Sequence, residues 1–318
     1  MKIYRQLQSS LLIFSVLLFI NACSNSGNKK IAVEKINSLV SAQWLIEHIN
    51  DDDLIVLDTT VIVNMDDKGG FSNVSGRDEY NAGHIPTAGF ADLKGNLSST
   101  DGSFDFVMPT PEEFALAMSE LGVGNTSRVV LYSAQNQVWA ARLWWMFRWA
   151  GFDQVALLDG GLKAWTSAGG DLSTDAAIHT KKPFTLALRP EVIADHDEVF
   201  AAMKNEQVNI IDALPDAHYM GTFSLYKRPG HIPGASNIPS SDLLDESGLY
   251  KPLDELEMMF EINQHTNRVI TYCGGGVAAS AVAFTLYRLG YTDVSVYMGS
   301  LQEWIIDPEN PMVVNNHK

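Results

Sequence analysis

The sequence has few cysteines and few basic residues, and every apolar run is shorter than the ~20 residues of a membrane-spanning helix. Cysteine occurs twice in 318 residues, at Cys23 and Cys273, which excludes a scaffold held by several disulfides. Lys and Arg total 22 against 38 Asp and Glu, so the formal net charge of −16 argues against nucleic acid as a partner. The 8 histidines show no metal-ligand spacing, and we predict neither a metal nor another cofactor.

Residues 1–22 have the pattern of a signal peptide. Basic residues precede an apolar run from Leu11 to Ile20, which is too short to cross a bilayer comfortably. The run ends shortly before Cys23 in a pattern that resembles a bacterial lipoprotein signal. We therefore expect acylation of Cys23, a polar tether at 23–35, and a lipid-anchored protein in the bacterial cell envelope, facing outside the cytoplasm. The alternative is an ordinary secretory signal in which the cysteine is incidental.

The remainder of the chain repeats one plan twice. The repeated patterns are an apolar strand that ends in aspartate, a Gly-His-Ile-Pro motif, an apolar strand that starts with arginine, and a turn that leads to Leu and Trp. The matched pairs are 54–58 with 208–212, 83–86 with 230–233, 128–133 with 268–273, and 160–165 with 299–304. This order indicates a duplicated domain. We predict domains at 36–173 and 192–314, joined by a linker at 174–191.

Apolar strands alternate with helical stretches in both halves. This alternation is typical of the α/β class, with a parallel sheet covered by helices on both faces. The segments from Thr110 to Leu121 and from Pro252 to Phe260 are examples of predicted helices, because each opens with residues suited to a helix start. The fold prediction is therefore two similar α/β domains in tandem.

The stretch from Thr271 to Ser280 contains the candidate nucleophile. A strand predicted at 268–272 leads into Cys273, three glycines follow, and a helix is predicted from Ala278 to Leu289. The glycines permit a tight turn whose N–H groups, together with the helix dipole, point at the sulfur and favour the thiolate. The carboxyl end of a strand is also where open α/β sheets bind ligands. The alternative is a buried, inert cysteine beside a glycine-rich turn.

The first half has no thiol at the corresponding position, which is Ser133. It also lacks the glycines, so only the second half can use a thiolate. The helix predicted after Ser133 is rich in tryptophan. We interpret these tryptophans as core and interface residues rather than ligand-stacking residues, and they are Trp139, Trp144, Trp145 and Trp149.

Together these motifs resemble the rhodanese family of sulfurtransferases in its tandem-domain form. The resemblance rests on both Gly-His-Ile-Pro motifs, on Leu158–Gly161 and on the loop at Cys273, and it covers nearly all of the chain after the signal. It implies two rhodanese-like domains, the first inactive and the second catalytic. It further implies that Cys273 carries a persulfide, and that a small donor such as thiosulfate or 3-mercaptopyruvate passes sulfur to a thiol or cyanide acceptor.

The loop departs from the family's usual patterns. Four residues fit the mercaptopyruvate pattern Cys-Gly-Ser-Gly-Val-Thr, namely Cys273, Gly274, Gly276 and Val277. Gly275 replaces the serine and Ala278 replaces the threonine, and the cationic pair of the thiosulfate pattern Cys-Arg-Lys-Gly-Val-Thr is absent. The resemblance implies that residues 274–278 bind substrate, but it leaves the donor open.

The resemblance also suggests substrate-binding residues outside the loop. Many relatives have an arginine where His218 stands, and histidine is cationic only part of the time at neutral pH. Lys227 falls near a second family arginine, and either it or the adjacent Arg228 is the candidate anion anchor, unless both are simply exposed charges. His84 matches a site histidine of mercaptopyruvate enzymes, although a histidine that only fixes its turn is the favoured interpretation. Arg77 could reach the cleft from the first half.

Two other functions are considered. Phosphatases and arsenate reductases of related type need an arginine six positions after the cysteine to hold an oxyanion, and here that position is Ala279. The second alternative is a non-catalytic, membrane-tethered module that carries sulfur or binds a partner, because the family's serine and arginine are missing.

Overall fold

The computed structural model describes residues 35–65, 70–100, 102, 104–260 and 268–315. The predicted signal peptide, Cys23 and nearly all of the predicted tether lie outside these residues. Among the described residues, no helix combines the length and hydrophobicity that a membrane crossing requires.

The first half is a parallel sheet of five strands with an added antiparallel hairpin. Its elements are β1 (Leu39–Val40), α1 (Ala42–His48), β2 (Leu54–Asp58), β3 (Val61–Met65), β4 (Phe71–Ser75), α2 (Arg77–Ala82), β5 (Gly89–Phe90), α3 (Pro111–Glu120), β6 (Arg128–Tyr132), α4 (Val138–Trp149), β7 (Val155–Leu158) and α5 (Gly161–Ser167). The strand order is β1-β7-β6-β2-β5, and β3 pairs with β4 as the hairpin.

The second half repeats this plan without the hairpin. Its elements are a 3-10 helix (Pro190–Val192), β8 (Ile193–Ala194), α6 (His196–Ala202), β9 (Val208–Asp212), α7 (Asp216–Tyr219), β10 (Ala235–Asn237), a 3-10 helix (Ser240–Leu243), α8 (Leu253–Met259), β11 (Arg268–Tyr272), α9 (Val277–Arg288), β12 (Val294–Tyr297) and α10 (Ser300–Trp304). The order β8-β12-β11-β9-β10 is that of the first sheet, strand for strand. The predicted pair of α/β domains is confirmed.

Both sheets are covered on both faces, as the alternation of strands and helices predicts. Successive residues of a strand point to opposite faces. Leu57 in β2 therefore packs in the core that includes α3 and α4, whereas its neighbour Val56 packs with α1 and α5. Likewise, Val269 in β11 packs with α8 and α9, whereas Ile270 packs with α6 and α10.

The helix ends follow local signals in the sequence. Thr110 caps α3, because its side chain accepts from the Glu113 N–H while the Glu113 carboxylate accepts from the Thr110 N–H. Helix α9 begins at Val277 and ends at Arg288, close to the predicted bounds. Gly290 follows with a φ of 90°, a conformation that glycine adopts without strain.

One hydrophobic core joins the two halves. Helix α4 of the first half packs on α9 of the second, and the Trp144 ring lies 4.9 Å from the Phe284 ring and 4.9 Å from the Tyr287 ring. The indole N–H of Trp145 donates to the carbonyl of Val192 at 2.9 Å. The prediction of core and interface roles is confirmed for these two tryptophans.

Candidate active site

Cys273 lies where β11 ends, four residues before α9 begins at Val277. Its side chain is only 2% exposed, yet it lines a cavity of about 170 Å³. The cavity wall contains residues from both halves of the chain. The cysteine therefore faces a space where a small molecule can reach it.

The glycines after Cys273 are required by close approaches. Gly276 has a φ of 74°, and a Cβ added there would lie 2.6 Å from Arg142 Nη1 and 2.7 Å from the Met298 carbonyl oxygen. A Cβ added to Gly274 would lie 1.6 Å from the Tyr226 hydroxyl oxygen. Any larger residue at these two positions would displace the loop or its neighbours.

The carbonyl groups of Cys273 and Gly274 accept hydrogen bonds that hold the loop, whereas the N–H groups of the residues that follow Cys273 have no acceptor within the described residues. Leu301 N–H donates to the Cys273 carbonyl at 3.1 Å, and Gln302 N–H donates to the Gly274 carbonyl at 2.9 Å. Cys273 N–H donates to Ser300 Oγ at 3.0 Å. Within the described residues, the N–H groups of residues 274–278 donate no hydrogen bond, and this includes any bond to Cys273 Sγ.

Free N–H groups in a buried loop are costly unless a ligand accepts from them. Residues 274–277 are buried, and they connect the buried Cys273 to a helix of 12 residues. This arrangement suits an anion beside Cys273, such as the outer sulfur of a persulfide. None of these N–H groups donates to Cys273 Sγ within the described residues, so the predicted cradle of donors at the sulfur stays a prediction.

In the corresponding loop of the first half, side chains accept hydrogen bonds from several of the N–H groups. Ala134 N–H donates to Thr60 Oγ1 at 2.8 Å, and Gln135 N–H donates to Ser133 Oγ at 3.2 Å. Ser133 also replaces the thiol with a hydroxyl. The first half therefore offers neither a nucleophilic sulfur nor a comparable set of free donors.

The cavity wall is uncharged and mainly apolar, with four aromatic side chains. Strand β4 of the hairpin contributes Phe71 and Asn73. The other side chains in the wall are Phe106, Val138 and Trp139 from the first half, and Leu214, Tyr226, Val277, Ala278 and Gln302 from the second. Trp139 thus has a place in the site as well as in the core, which the interpretation of the tryptophans did not include.

Arg142 is a buried cation behind the loop, and the sequence gave no reason to expect it there. It extends from α4 of the first half and is 2% exposed. Its Nη2 donates to the Phe106 carbonyl at 2.7 Å, and its Nη1 contacts the Met298 sulfur. Burial lowers its pKa to about 10, against the opposing effect of Cys273, so it remains cationic at neutral pH. It places positive charge close to the nucleophile.

His218 lies next to the cavity wall but does not line it. It is buried on α7, with its ring 4.9 Å from the Phe223 ring and 6.1 Å from the Tyr226 ring. Burial lowers the pKa of His218, so the ring is neutral at neutral pH. It therefore does not supply the positive charge of the family arginine.

The other candidate cations are also away from Cys273. Lys227 is exposed, and the Arg228 guanidinium donates to the Asp307 carbonyl at 3.1 Å. Arg77 stacks over the Phe90 ring at 4.1 Å. None of these three lines the cavity at Cys273.

His84 fixes a turn and is not part of this cavity. Its Nδ1 lies 2.8 Å from the Tyr80 carbonyl, its Nε2 lies 3.0 Å from the Asp175 carbonyl, and its ring stacks on Tyr80 at 4.0 Å. His231 makes the same Nδ1 contact and the same stack, with Tyr219, in the second half. The placement agrees with the favoured interpretation that the Gly-His-Ile-Pro histidines hold their turns.

Several residues around Cys273 were not predicted from the sequence. The hairpin could have been predicted, since 61–65 and 71–75 contain β-branched and aromatic residues and the sequence between them contains glycine. Tyr226, Gln302 and Arg142 had no local signal, because only the tertiary fold brings them to Cys273.

The sequence comparisons give two matches to the same family model. The model of the rhodanese-like domain matches residues 41–168 and again residues 195–307. The chain is 34% identical over 270 residues to the 3-mercaptopyruvate sulfurtransferase of Escherichia coli K12, covering 83% of this chain and 94% of that protein. It is 32% identical to thiosulfate/3-mercaptopyruvate sulfurtransferase 1 of Arabidopsis thaliana, over 91% of this chain and 81% of the relative.

Solved structures agree with these matches. The crystal structure of SseA, described as a 3-mercaptopyruvate sulfotransferase of Escherichia coli, superposes with a TM-score of 0.74 at 33% identity, covering 83% of this chain and 99% of SseA. An anaerobic ergothioneine biosynthesis enzyme from Chlorobium limicola matches with a TM-score of 0.75 at 27% identity, covering 90% of this chain and 72% of that protein. The resemblance drawn from the motifs is confirmed, and the chain belongs to the rhodanese family, with two rhodanese-like domains in tandem.

Proposed function

We propose that this chain is a sulfurtransferase that moves sulfane sulfur from a small donor to a thiol or cyanide through a persulfide on Cys273. The observation that carries the proposal is a cysteine that opens to a cavity and is followed by residues 274–278, whose N–H groups have no acceptor within the described residues. The relatives named above are sulfurtransferases, which supports the same reaction class.

In the first step, the Cys273 thiolate attacks the outer sulfur of the donor. A new S–S bond forms to Cys273, and the donor's bond to that sulfur breaks, its electron pair leaving with sulfite from thiosulfate. With 3-mercaptopyruvate, a C–S bond breaks, and the pair leaves on carbon, which takes the thiol proton to give pyruvate. The loop N–H groups donate to the outer sulfur of the persulfide, and Arg142 stabilises the negative charge from behind.

In the second step, a thiol or cyanide attacks the outer sulfur. The S–S bond breaks with its electron pair on Cys273, which restores the thiolate. Thiosulfate and 3-mercaptopyruvate both remain candidate donors. The neutral loop favours 3-mercaptopyruvate, and the expected export from the cytoplasm favours thiosulfate.

Mass spectrometry of the full chain after donor treatment tests the proposal. We expect one added sulfur atom on Cys273, and its loss on addition of cyanide. Cys273→Ser abolishes both the added mass and turnover, whereas Cys23→Ser, which changes the other cysteine, retains them. A Cys273 thiol that stays unmodified with every donor would contradict the proposal. The non-catalytic module would then be the remaining candidate function.

The lipid anchor at Cys23 is proposed on the sequence pattern alone. The experiment is expression in a bacterial host with labelled fatty acid, followed by partition into detergent. The full chain incorporates label and enters the detergent phase, and Cys23→Ser does neither. A mature chain with a free Cys23 thiol would contradict the lipid anchor and favour the ordinary secretory signal.

A further inference from the structure

A second cavity lies in the first half, at the position that corresponds to the cavity at Cys273. It measures about 520 Å³ and is lined by the loop from Ser133 to Val138, where Ser133 takes the place of the cysteine. The second half contributes most residues of the stretch from Ser240 to Gly248. Val138 is the one side chain that lines both cavities, so the two spaces adjoin but are not the same pocket.

Two buried polar side chains in the wall of this second cavity have unused hydrogen-bonding capacity. Gln137 is only 7% exposed, and its Nε2 donates to the Gly248 carbonyl, but its Oε1 accepts no hydrogen bond within the described residues. The Ser133 hydroxyl accepts from Gln135 N–H at 3.2 Å and donates to no group in the same part of the chain. Because buried polar groups are normally paired, both indicate that a polar ligand is bound here.

The first half contributes positive charge to the cavity. Lys163 on α5 is exposed, and it is paired with no carboxylate among the described residues. The N–H groups of Asn136 and Gln137, which directly precede the 12 residues of α4, likewise have no acceptor there. An ammonium and the start of a helix both attract a carboxylate.

The second half contributes negative charge. Asp245 Oδ1 accepts from the Ser247 hydroxyl at 2.6 Å and from Leu249 N–H at 3.0 Å. These bonds lower the pKa of Asp245, so its carboxylate is ionised at neutral pH. Within the described residues, neither Asp245 nor Glu246 is paired with a cation. The two carboxylates therefore suit a ligand that carries an ammonium group.

We propose that this cavity binds a small zwitterion with the charges of a free α-amino acid. Its carboxylate lies at Lys163 and the start of α4, and its ammonium lies at Asp245 and Glu246. A simple anion would be repelled by the two carboxylates, and a simple cation by Lys163. The volume of about 520 Å³ is within the usual range of small-molecule sites. Binding is non-covalent and independent of the sulfur chemistry at Cys273.

Calorimetric titration of the full chain with L-glutamine and two analogues tests this inference. The analogue 4-aminobutanamide lacks the carboxylate, 5-amino-5-oxopentanoate lacks the ammonium, and both keep the primary amide. We expect saturable binding of L-glutamine and at least about tenfold weaker binding of each analogue, because each loses hydrogen bonds to charged groups. Cys273→Ser binds L-glutamine as the unmodified chain does.

Variants assign each charge to its side of the cavity. Lys163→Met weakens L-glutamine by about tenfold and narrows its advantage over 4-aminobutanamide, since the carboxylate has lost its partner. Glu246→Gln weakens L-glutamine similarly and narrows its advantage over 5-amino-5-oxopentanoate. Lys204→Met and Glu206→Gln are the matched controls, because they remove the same charges from residues that do not line the cavity. Both controls bind L-glutamine normally.

The outcomes separate this inference from the proposed function. If L-glutamine shows no saturable binding while Cys273 still takes up sulfur, the second site is wrong and the sulfurtransferase stands. Equal affinity for L-glutamine and both analogues would overturn the zwitterion. Unchanged binding in both Lys163→Met and Glu246→Gln would show that the ligand binds outside this cavity. Failure of sulfur uptake with normal L-glutamine binding would overturn the sulfurtransferase alone.

Discussion

At the residue scale, the active loop depends on glycines for two separate reasons. Gly276 needs its left-handed backbone and has no room for a side chain, because Arg142 and Met298 occupy the space. Gly290 shares the left-handed backbone, with a φ of 90°, but nothing lies within 4 Å of an added Cβ. Substitutions at the two positions therefore allow the effect of backbone strain to be separated from the effect of steric exclusion.

We predict that Gly290→Ala costs about 1 kcal/mol of unfolding free energy and leaves turnover unchanged. Gly276→Ala costs more, roughly 2–4 kcal/mol, and abolishes persulfide formation, because the loop must move off Arg142. Chemical denaturation and mass spectrometry measure the two effects. If both variants lose the same stability and keep full activity, the close approach of Arg142 and Met298 to Gly276 is not needed for function.

Asp212 is a buried carboxyl group at the end of β9. Its Oδ1 accepts from Leu214 N–H at 2.8 Å, but burial outweighs this bond and raises its pKa to about 7. A carboxyl whose pKa is higher in the folded state stabilises the fold at low pH. That contribution is lost as the pH rises through about 7, at roughly 1.4 kcal/mol per unit of pKa difference.

We therefore expect the melting temperature of Asp212→Asn, relative to the unmodified chain, to rise between pH 5 and pH 8. The asparagine side chain cannot ionise, so the variant avoids the cost of a buried charge. Thermal melts of both proteins across this range measure the difference. A difference that stays constant or falls with pH would contradict the raised pKa of Asp212.

At the element scale, the two loops that follow β6 and β11 share a position but differ in their hydrogen bonds. The first-half loop has side-chain acceptors for several of its N–H groups, whereas within the described residues the N–H groups of 274–278 have none. A nucleophile alone should therefore not restore chemistry to the first half.

We predict that Ser133→Cys combined with Cys273→Ser forms no persulfide and has no turnover above that of Cys273→Ser alone. A thiol at position 133 would lack donors for an added sulfur, since the Ala134 N–H is already bonded to Thr60. Single-turnover mass spectrometry of the double variant measures this. Sulfur on the new cysteine would show that the free N–H groups are not what distinguishes the loops.

Local patterns in the sequence were sufficient to predict the central strands of both sheets and to place Cys273 at the end of one of them. Strands β2, β6, β9 and β11 lie where apolar runs predicted them, because both faces of each sheet are buried. The hairpin and the side chains Tyr226, Gln302 and Arg142 could not be placed in the same way. Their positions depend on contacts between distant segments, such as the bond from Asp105 to Gln302, for which local periodicity carries no information.

At the scale of the whole molecule, the halves are joined by the packing of α4 on α9. Phe284 is 0% exposed and lies 4.9 Å from Trp144 across this junction. Its removal would leave a cavity between the halves rather than inside either one. We expect such a change to affect both halves together.

We predict that Phe284→Ala lowers the unfolding free energy by about 3–5 kcal/mol and that the variant still unfolds in a single transition. Differential scanning calorimetry measures this, and Phe223→Ala, which changes a phenylalanine that is 46% exposed, is the control with a small effect. Two separate transitions in the variant would show that the halves do not depend on a common core.

Part of the cavity wall comes from the half that carries no nucleophile, and the positive charge behind the sulfur comes from there as well. Each half therefore contributes both to the cavity wall and to the surroundings of the sulfur. A new preference for donors can arise through changes in the hairpin or around Phe106 while the sulfur chemistry is kept intact. The duplicate that has no thiol is, in this sense, the part through which the enzyme can acquire new substrates.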